Sequence, residues 1–189
     1  MSGFDDTMAR AEAFLASLPG AADKAVAASL NKAAKAAREE GVKAIADRYA
    51  AAAGDVRERT TTVDASSSSL SAAVKSVSPS LQLGYFPHSP IQIGTGGPGR
   101  PQLRAEVLRG QERDVPGAFV APIGGKPRIM IRTGGITSSG KSAIKPVFGP
   151  PIAVMLGVEQ VREKVERIAI ETFDAQIDKQ IDAALKKAG

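Results

Sequence analysis

With 189 residues, 25 basic against 20 acidic and no cysteine, the chain is long enough for one cored domain, and disulfide scaffolds and thiolate metal sites are excluded. Its single histidine has no imidazole partner for a metal site or hydrolytic dyad. No basic-then-apolar leader opens the sequence and no window approaches about 18 uninterrupted apolar residues, so the expectation is a soluble protein made in the cytoplasm, with no membrane partner.

Phe4, Met8, Ala11, Leu15 and Leu18 stand at helical spacing ahead of Pro19-Gly20, which predicts an amphipathic arm over residues 1–19 followed by a single α+β domain over 20–189. A long helix is predicted over 22–53, with Val26, Leu30, Ala33, Ala37, Val42, Ile45 and Tyr49 as its stripe; at 1.5 Å per residue it spans about 48 Å. Alanine favours helix but buries little area per residue, so neighbouring copies are expected to cover part of this helix. Gly54 reads as its stop and Asp55 as the N-cap of a brief turn over Val56–Arg59.

A strand region is predicted over 60–133. Its clearest runs are Thr60–Val63, Leu70–Val74 and Leu103–Leu108, with a long Pro- and Gly-rich loop over 79–101 holding short extended pieces at Leu81–Phe86 and Ile91–Ile93. The centre of the chain is a half-buried hairpin, Ala118–Ala121 and Arg128–Arg132, reversed at Gly124-Gly125. Alternation puts Ile129 and Ile131 on one face and Arg128, Met130 and Arg132 on the other; Phe119 is expected to join the isoleucines in the buried layer against the last helix. Thr133–Lys145 reads as a second loop. Pro150 or Pro151 then opens a C-terminal helix over 151–187, striped by Val154, Val158, Val161, Val165, Ala169, Phe173, Ile177, Ile181 and Leu185. The fold class is therefore α+β, a mostly antiparallel sheet packed against long N- and C-terminal helices.

Charge is distributed unevenly. Residues 84–150 carry nine basic against three acidic side chains, whereas the flanking segments are nearly balanced. Arg100, Arg104, Arg109, Arg128 and Arg132 are the residues expected to face a partner or DNA; the plainer reading is a solvated face.

Three strings mimic chemistry. Gly135–Ser142, GITSSGKS, satisfies the phosphate-loop pattern, but Pro146, Gly149, Pro150 and Pro151 follow too closely for the helix that pattern requires. GTGGPG at 94–99 leads into Arg100-Pro101 instead of a dinucleotide-binding helix. His88 lies between two prolines without clustered carboxylates. No catalytic residue, cofactor or metal is expected.

The ordered features resemble the prophage minor tail protein Z family, tail-completion proteins of long-tailed bacteriophages, with related neck proteins. Leu30-Asn31-Lys32-Ala33-Ala34 through Arg48-Tyr49, then Gly54-Asp55-Val56-Arg57, is similar to its basic N-terminal helix and following turn. Asp114-Val115-Pro116-Gly117-Ala118-Phe119 resembles its PGAF strand entry. Phe148-Gly149-Pro150-Pro151, Met155-Leu156 and Glu171-Thr172-Phe173 resemble the start and body of its last helix. The resemblance implies a non-enzymatic virion protein of the head–tail junction, made in the bacterial host's cytoplasm. It also implies a self-associated ring, six-fold from the family's setting, against tail-terminator, tail-tube or head-closure proteins, with non-specific contact to phage DNA. The competing reading is a nucleic-acid-binding protein that places the five arginines on phosphate.

Overall fold

The computed structural model describes residues 21–76, 80–91 and 102–188. The arm over residues 1–19, the GTGGPG string and Arg100 lie outside the described residues. The chain is α+β: helices α1 (Ala21–Arg48), α2 (Ala53–Glu58), α3 (Ile152–Gly157) and α4 (Glu159–Ala188), with strands β1 (Thr60–Val63), β2 (Ala73–Ser76), β3 (His88–Ser89), β4 (Arg104–Leu108), β5 (Gln111–Asp114), β6 (Ala118–Ile123), β7 (Lys126–Ile136) and β8 (Ser142–Pro146). The strands pair antiparallel in three small sheets, β1-β2, β3-β4-β5 and β6-β7-β8. The described residues form two compact units, one from 21–44, 60–76 and 156–188, the other from 45–59, 80–91 and 102–155.

In the first unit, alanine-rich α1 starts with Asp23 in its first turn, where a carboxylate complements the helix dipole. Val26 and Ala33 of α1 meet Phe173 and Ile177 of α4 in a buried cluster, with Leu30 packed against it. Gly41 leaves room for side chains packed close against α1: a Cβ there would stand 3.0 Å from Leu156 Cδ2 and 3.3 Å from Val165 Cγ2. The β1-β2 ribbon is tied to α1 by side chains that act as strand partners. Asn31 Nδ2 donates to the Ala65 carbonyl at 3.0 Å while the Ala65 N–H donates to Asn31 Oδ1 at 2.6 Å, and Arg38 Nε donates to the Thr60 carbonyl at 3.0 Å. Together α1, β2 and α4 border an apolar groove of about 420 Å³ floored by Leu30, Val165 and Phe173.

The C-terminal helix is not the single rod expected over 151–187. Pro151 only caps α3, its carbonyl accepting from the Met155 N–H, and the Val158 carbonyl opens α4 by accepting from the N–H groups of Val161 and Arg162. This break resets the helical phase, which leaves Val154 57 % exposed while Val161, Phe173 and Ile177 are buried.

In the second unit, α1 ends at Arg48 instead of Ala53. The Ala50 N–H donates to the Val107 carbonyl and the Arg109 N–H to the Arg48 carbonyl, each at 3.0 Å, so pairing with β4 overrides the helix propensity of the alanines. Gly54 lies inside α2 and does not stop a helix; Ala52 is the N-cap, and Asp55 instead reaches Arg59 at 3.6 Å.

The expected loop over 79–101 also folds differently where it is described. Leu81, Leu83 and Phe86 are buried, with a 3-10 turn at Leu83–Tyr85 where an extended piece was expected. The Leu83 N–H donates to the Val147 carbonyl and the Gly149 N–H to the Leu81 carbonyl, both at 2.8 Å. Phe86 fills the space in front of Gly149, where an added Cβ would lie 2.5 Å from ring Cε2 and 2.9 Å from Cζ.

Pro116 and Gly117 form the centre of a type II turn: Gly117 has φ 72° and the Ala118 N–H donates to the Val115 carbonyl at 3.2 Å. Gly124 and Gly125, with φ 60° and 75°, reverse the β6–β7 hairpin as the sequence predicts. Its facing does not follow the prediction. The register opposes Phe119 to Met130 and Val120 to Ile129, so Phe119 shares a face with Arg128 and Arg132 and not with Ile129 and Ile131. Phe119 and Ile131 are half-buried, whereas Ile129 and Met130 are both buried, because both faces of mid-β7 are covered. Nor is Thr133–Lys145 a loop. β7 continues to Ile136 through a register shift after Arg132, Gly134 adopts φ 80°, and β8 returns from Ser142.

Candidate functional site

The strongest chemical feature is the sheet β6-β7-β8. From Val115 to Val158 the sequence contains no Asp or Glu, yet it holds Lys126, Arg128, Arg132, Lys141 and Lys145. All three acids of the basic segment, Glu106, Glu112 and Asp114, fall on β4 and β5. Alternation along β7 puts Lys126, Arg128 and Arg132 on one face, with the buried Met130 between the two arginines, while Lys145, opposite Ile131, belongs to the other. The sheet itself carries no carboxylate, and the acids Asp55 and Glu58 are paired with Arg59 at 3.6 and 3.8 Å.

The predicted arginines divide sharply. Arg104 is neutralised across β5, its Nη1 2.7 Å from Glu112 Oε2 and its Nε 3.1 Å from Asp114 Oδ1. Arg109 is spent on structure: Nη2 and Nε donate to the Ala46 carbonyl at 2.7 and 3.2 Å, satisfying an orphan acceptor in the last turn of α1. Arg132 lies over the Phe119 ring, 4.7 Å from its centroid, and stays exposed. Arg128 is half-buried and makes no ion pair among the described residues.

Arg128 lines a groove of about 230 Å³ with Lys126, Pro127, Gln82, Gly84 and Tyr85. Tyr85 is 44 % exposed, and the Arg59 guanidinium stacks 4.8 Å from its centroid. Tyr85 is legible in the sequence as one of two aromatics near the basic region, the other being Phe86, whereas Lys126 and Lys145 are not among the expected partner-facing residues. The available signal was the acid-free run from 115 to 158, finer than the charge count over 84–150.

The motif residues have structural work of their own. Ala118, which follows the Pro116-Gly117 turn, is buried, and Gly149 accommodates Phe86. A second, mainly apolar cleft of about 350 Å³ includes Tyr49, Leu83, Val107, Val115 and Pro150, with Arg113 among its lining residues.

The strings that mimic chemistry take other forms. Gly135–Ser142 is a hairpin tip in which the Thr137 N–H donates to the Lys141 carbonyl at 2.7 Å and the Gly140 N–H to the Thr137 carbonyl at 2.9 Å; a strand follows, where a phosphate loop would require a helix N-terminus. His88 is paired in β3 opposite Ala105, its Nδ1 2.8 Å from the Phe86 carbonyl oxygen. Among the described residues no group of three or more His, Cys, Asp or Glu is placed to hold a metal, and no helix is long and apolar enough to cross a membrane. No family model, no curated protein and no solved structure matches the chain.

Proposed function

We propose that the chain is a structural subunit of the head–tail junction of a long-tailed bacteriophage. In this reading it completes the tail and joins it to the capsid as one copy of a closed ring, without catalysis. The family assignment rests on the ordered resemblance in the sequence. The single structural observation that supports it is the acid-free cationic sheet β6-β7-β8, held on tight hairpins. A ring subunit needs a rigid face that meets the next copy or an adjacent ring, and charge of one sign selects a complementary partner and orients docking. Six copies follow from the family's setting. A nucleic-acid-binding protein using Arg100, Arg104, Arg109, Arg128 and Arg132 together draws less support, because Arg104 and Arg109 are engaged within the chain.

Removing the gene from the phage that carries it is expected to yield separate heads and tails by electron microscopy. In complemented particles, gold-labelled antibody against the chain should decorate the junction. Particles that join normally without the chain, or that lack it after purification, would refute the assignment.

A further inference from the structure

We infer that the groove between the Leu83–Tyr85 turn and the start of β7 binds a single-stranded nucleic acid, with Lys126 and Arg128 on adjacent phosphates and a base stacked on Tyr85. This goes beyond the assembly reading and does not depend on it. Lys126 and Arg128 are two residues apart on one face of β7, a separation of about 6.8 Å, comparable with that of neighbouring phosphates in a stretched strand. Neither makes an ion pair among the described residues, and no carboxylate lies on their sheet. Beside them Tyr85 remains 44 % exposed, so part of its ring is accessible to a stacking base. Arg59, 4.8 Å from the ring centroid, stiffens Tyr85 and is itself anchored by Asp55 at 3.6 Å, so the platform is pre-organised.

The shape also discriminates between ligands. At about 230 Å³ the groove is smaller than the 300–1,000 Å³ typical of small-molecule sites, which favours a polymer lying across it over a whole molecule inserted into it. A Cβ added at Gly84 would meet nothing within 4 Å, so the backbone there is open to an incoming chain. Gln82 supplies an amide that can donate to a phosphate or pair with a base edge. Cations that track a backbone beside an aromatic platform are the two parts of sequence-tolerant single-strand binding.

The test titrates the full chain with a fluorescein-labelled thymidine 20-mer by anisotropy from 25 to 200 mM salt. Binding should weaken with salt, and Lys126→Gln with Arg128→Gln should lower the log–log slope by about 1.4, two phosphates at about 0.7 each. Tyr85→Leu should weaken binding by about tenfold while leaving the slope unchanged. Far-UV circular dichroism of each variant should match the parent, since Lys126 and Tyr85 are exposed and the half-buried Arg128 makes no ion pair among the described residues. Absence of salt-dependent binding, or a slope unmoved by the double substitution, would overturn the inference. So would equal competition by poly-glutamate of matched charge, which would make the groove a dock for acidic protein, or equal competition by duplex DNA with Tyr85→Leu neutral.

Discussion

Truncating Phe86 to alanine should lower the unfolding free energy by about 3–5 kcal/mol, the usual cost of removing a buried aromatic ring. Phe86 is 2 % exposed and occupies the place a side chain at Gly149 would need. Gly149→Ala should therefore cost about 1–3 kcal/mol through overpacking, and less when Phe86 is already leucine. Phe119→Ala, by contrast, should cost only about 1–2 kcal/mol, because that ring is half-buried and its partner is the exposed Arg132. Urea unfolding followed by circular dichroism measures Phe86→Ala, Phe119→Ala, Gly149→Ala, Phe86→Leu and the Phe86→Leu/Gly149→Ala pair. Equal losses for Phe86 and Phe119, or no coupling between Phe86 and Gly149, would contradict the packing described.

Asn31→Ala is expected to be nearly as damaging, at about 2–4 kcal/mol. The Asn31 amide both donates to and accepts from the backbone of Ala65, and Ala65 is 8 % exposed, so the substitution strands a donor and an acceptor where water reaches poorly. Hydrogen exchange gives the direct readout. The Ala65 amide should lose its protection in Asn31→Ala, whereas in Lys32→Ala, one position along, it should keep it. Retained protection at Ala65 in the Asn31 variant would mean the clamp is not formed.

What the sequence made legible was local. The α1 stripe from Val26 to Ile45 is buried apart from a half-exposed Leu30, β1 has the predicted bounds, and Gly124-Gly125 turns the central hairpin. What it hid was set by partners distant in the chain. Ala50 could continue a helix, but its N–H is taken by Val107; Phe86 looked like part of a loop because its seat is provided by Gly149, far along the sequence. The facing of Phe119 depends on register, and a shift of one residue exchanges the two faces of a strand. The site followed the same rule. That residues 84–150 are basic could be counted, but which arginines remain uncommitted required seeing Glu112 and Asp114 come across to Arg104, and the Ala46 carbonyl to Arg109.

On the proposed head–tail reading, Arg128 and Arg132 of β7 form a working surface and not a merely solvated one. Both residues should be replaced by glutamate and the gene returned to a deletion phage. The exposed Arg132 contributes little to folding beyond about 0.5–1 kcal/mol of stacking on Phe119, and the half-buried Arg128 makes no ion pair among the described residues, so the purified variant should stay folded, with its unfolding midpoint measured beside the parent's. This folded variant should leave heads and tails unjoined in electron micrographs, whereas normal titres with fully joined particles would show that Arg128 and Arg132 are merely solvated.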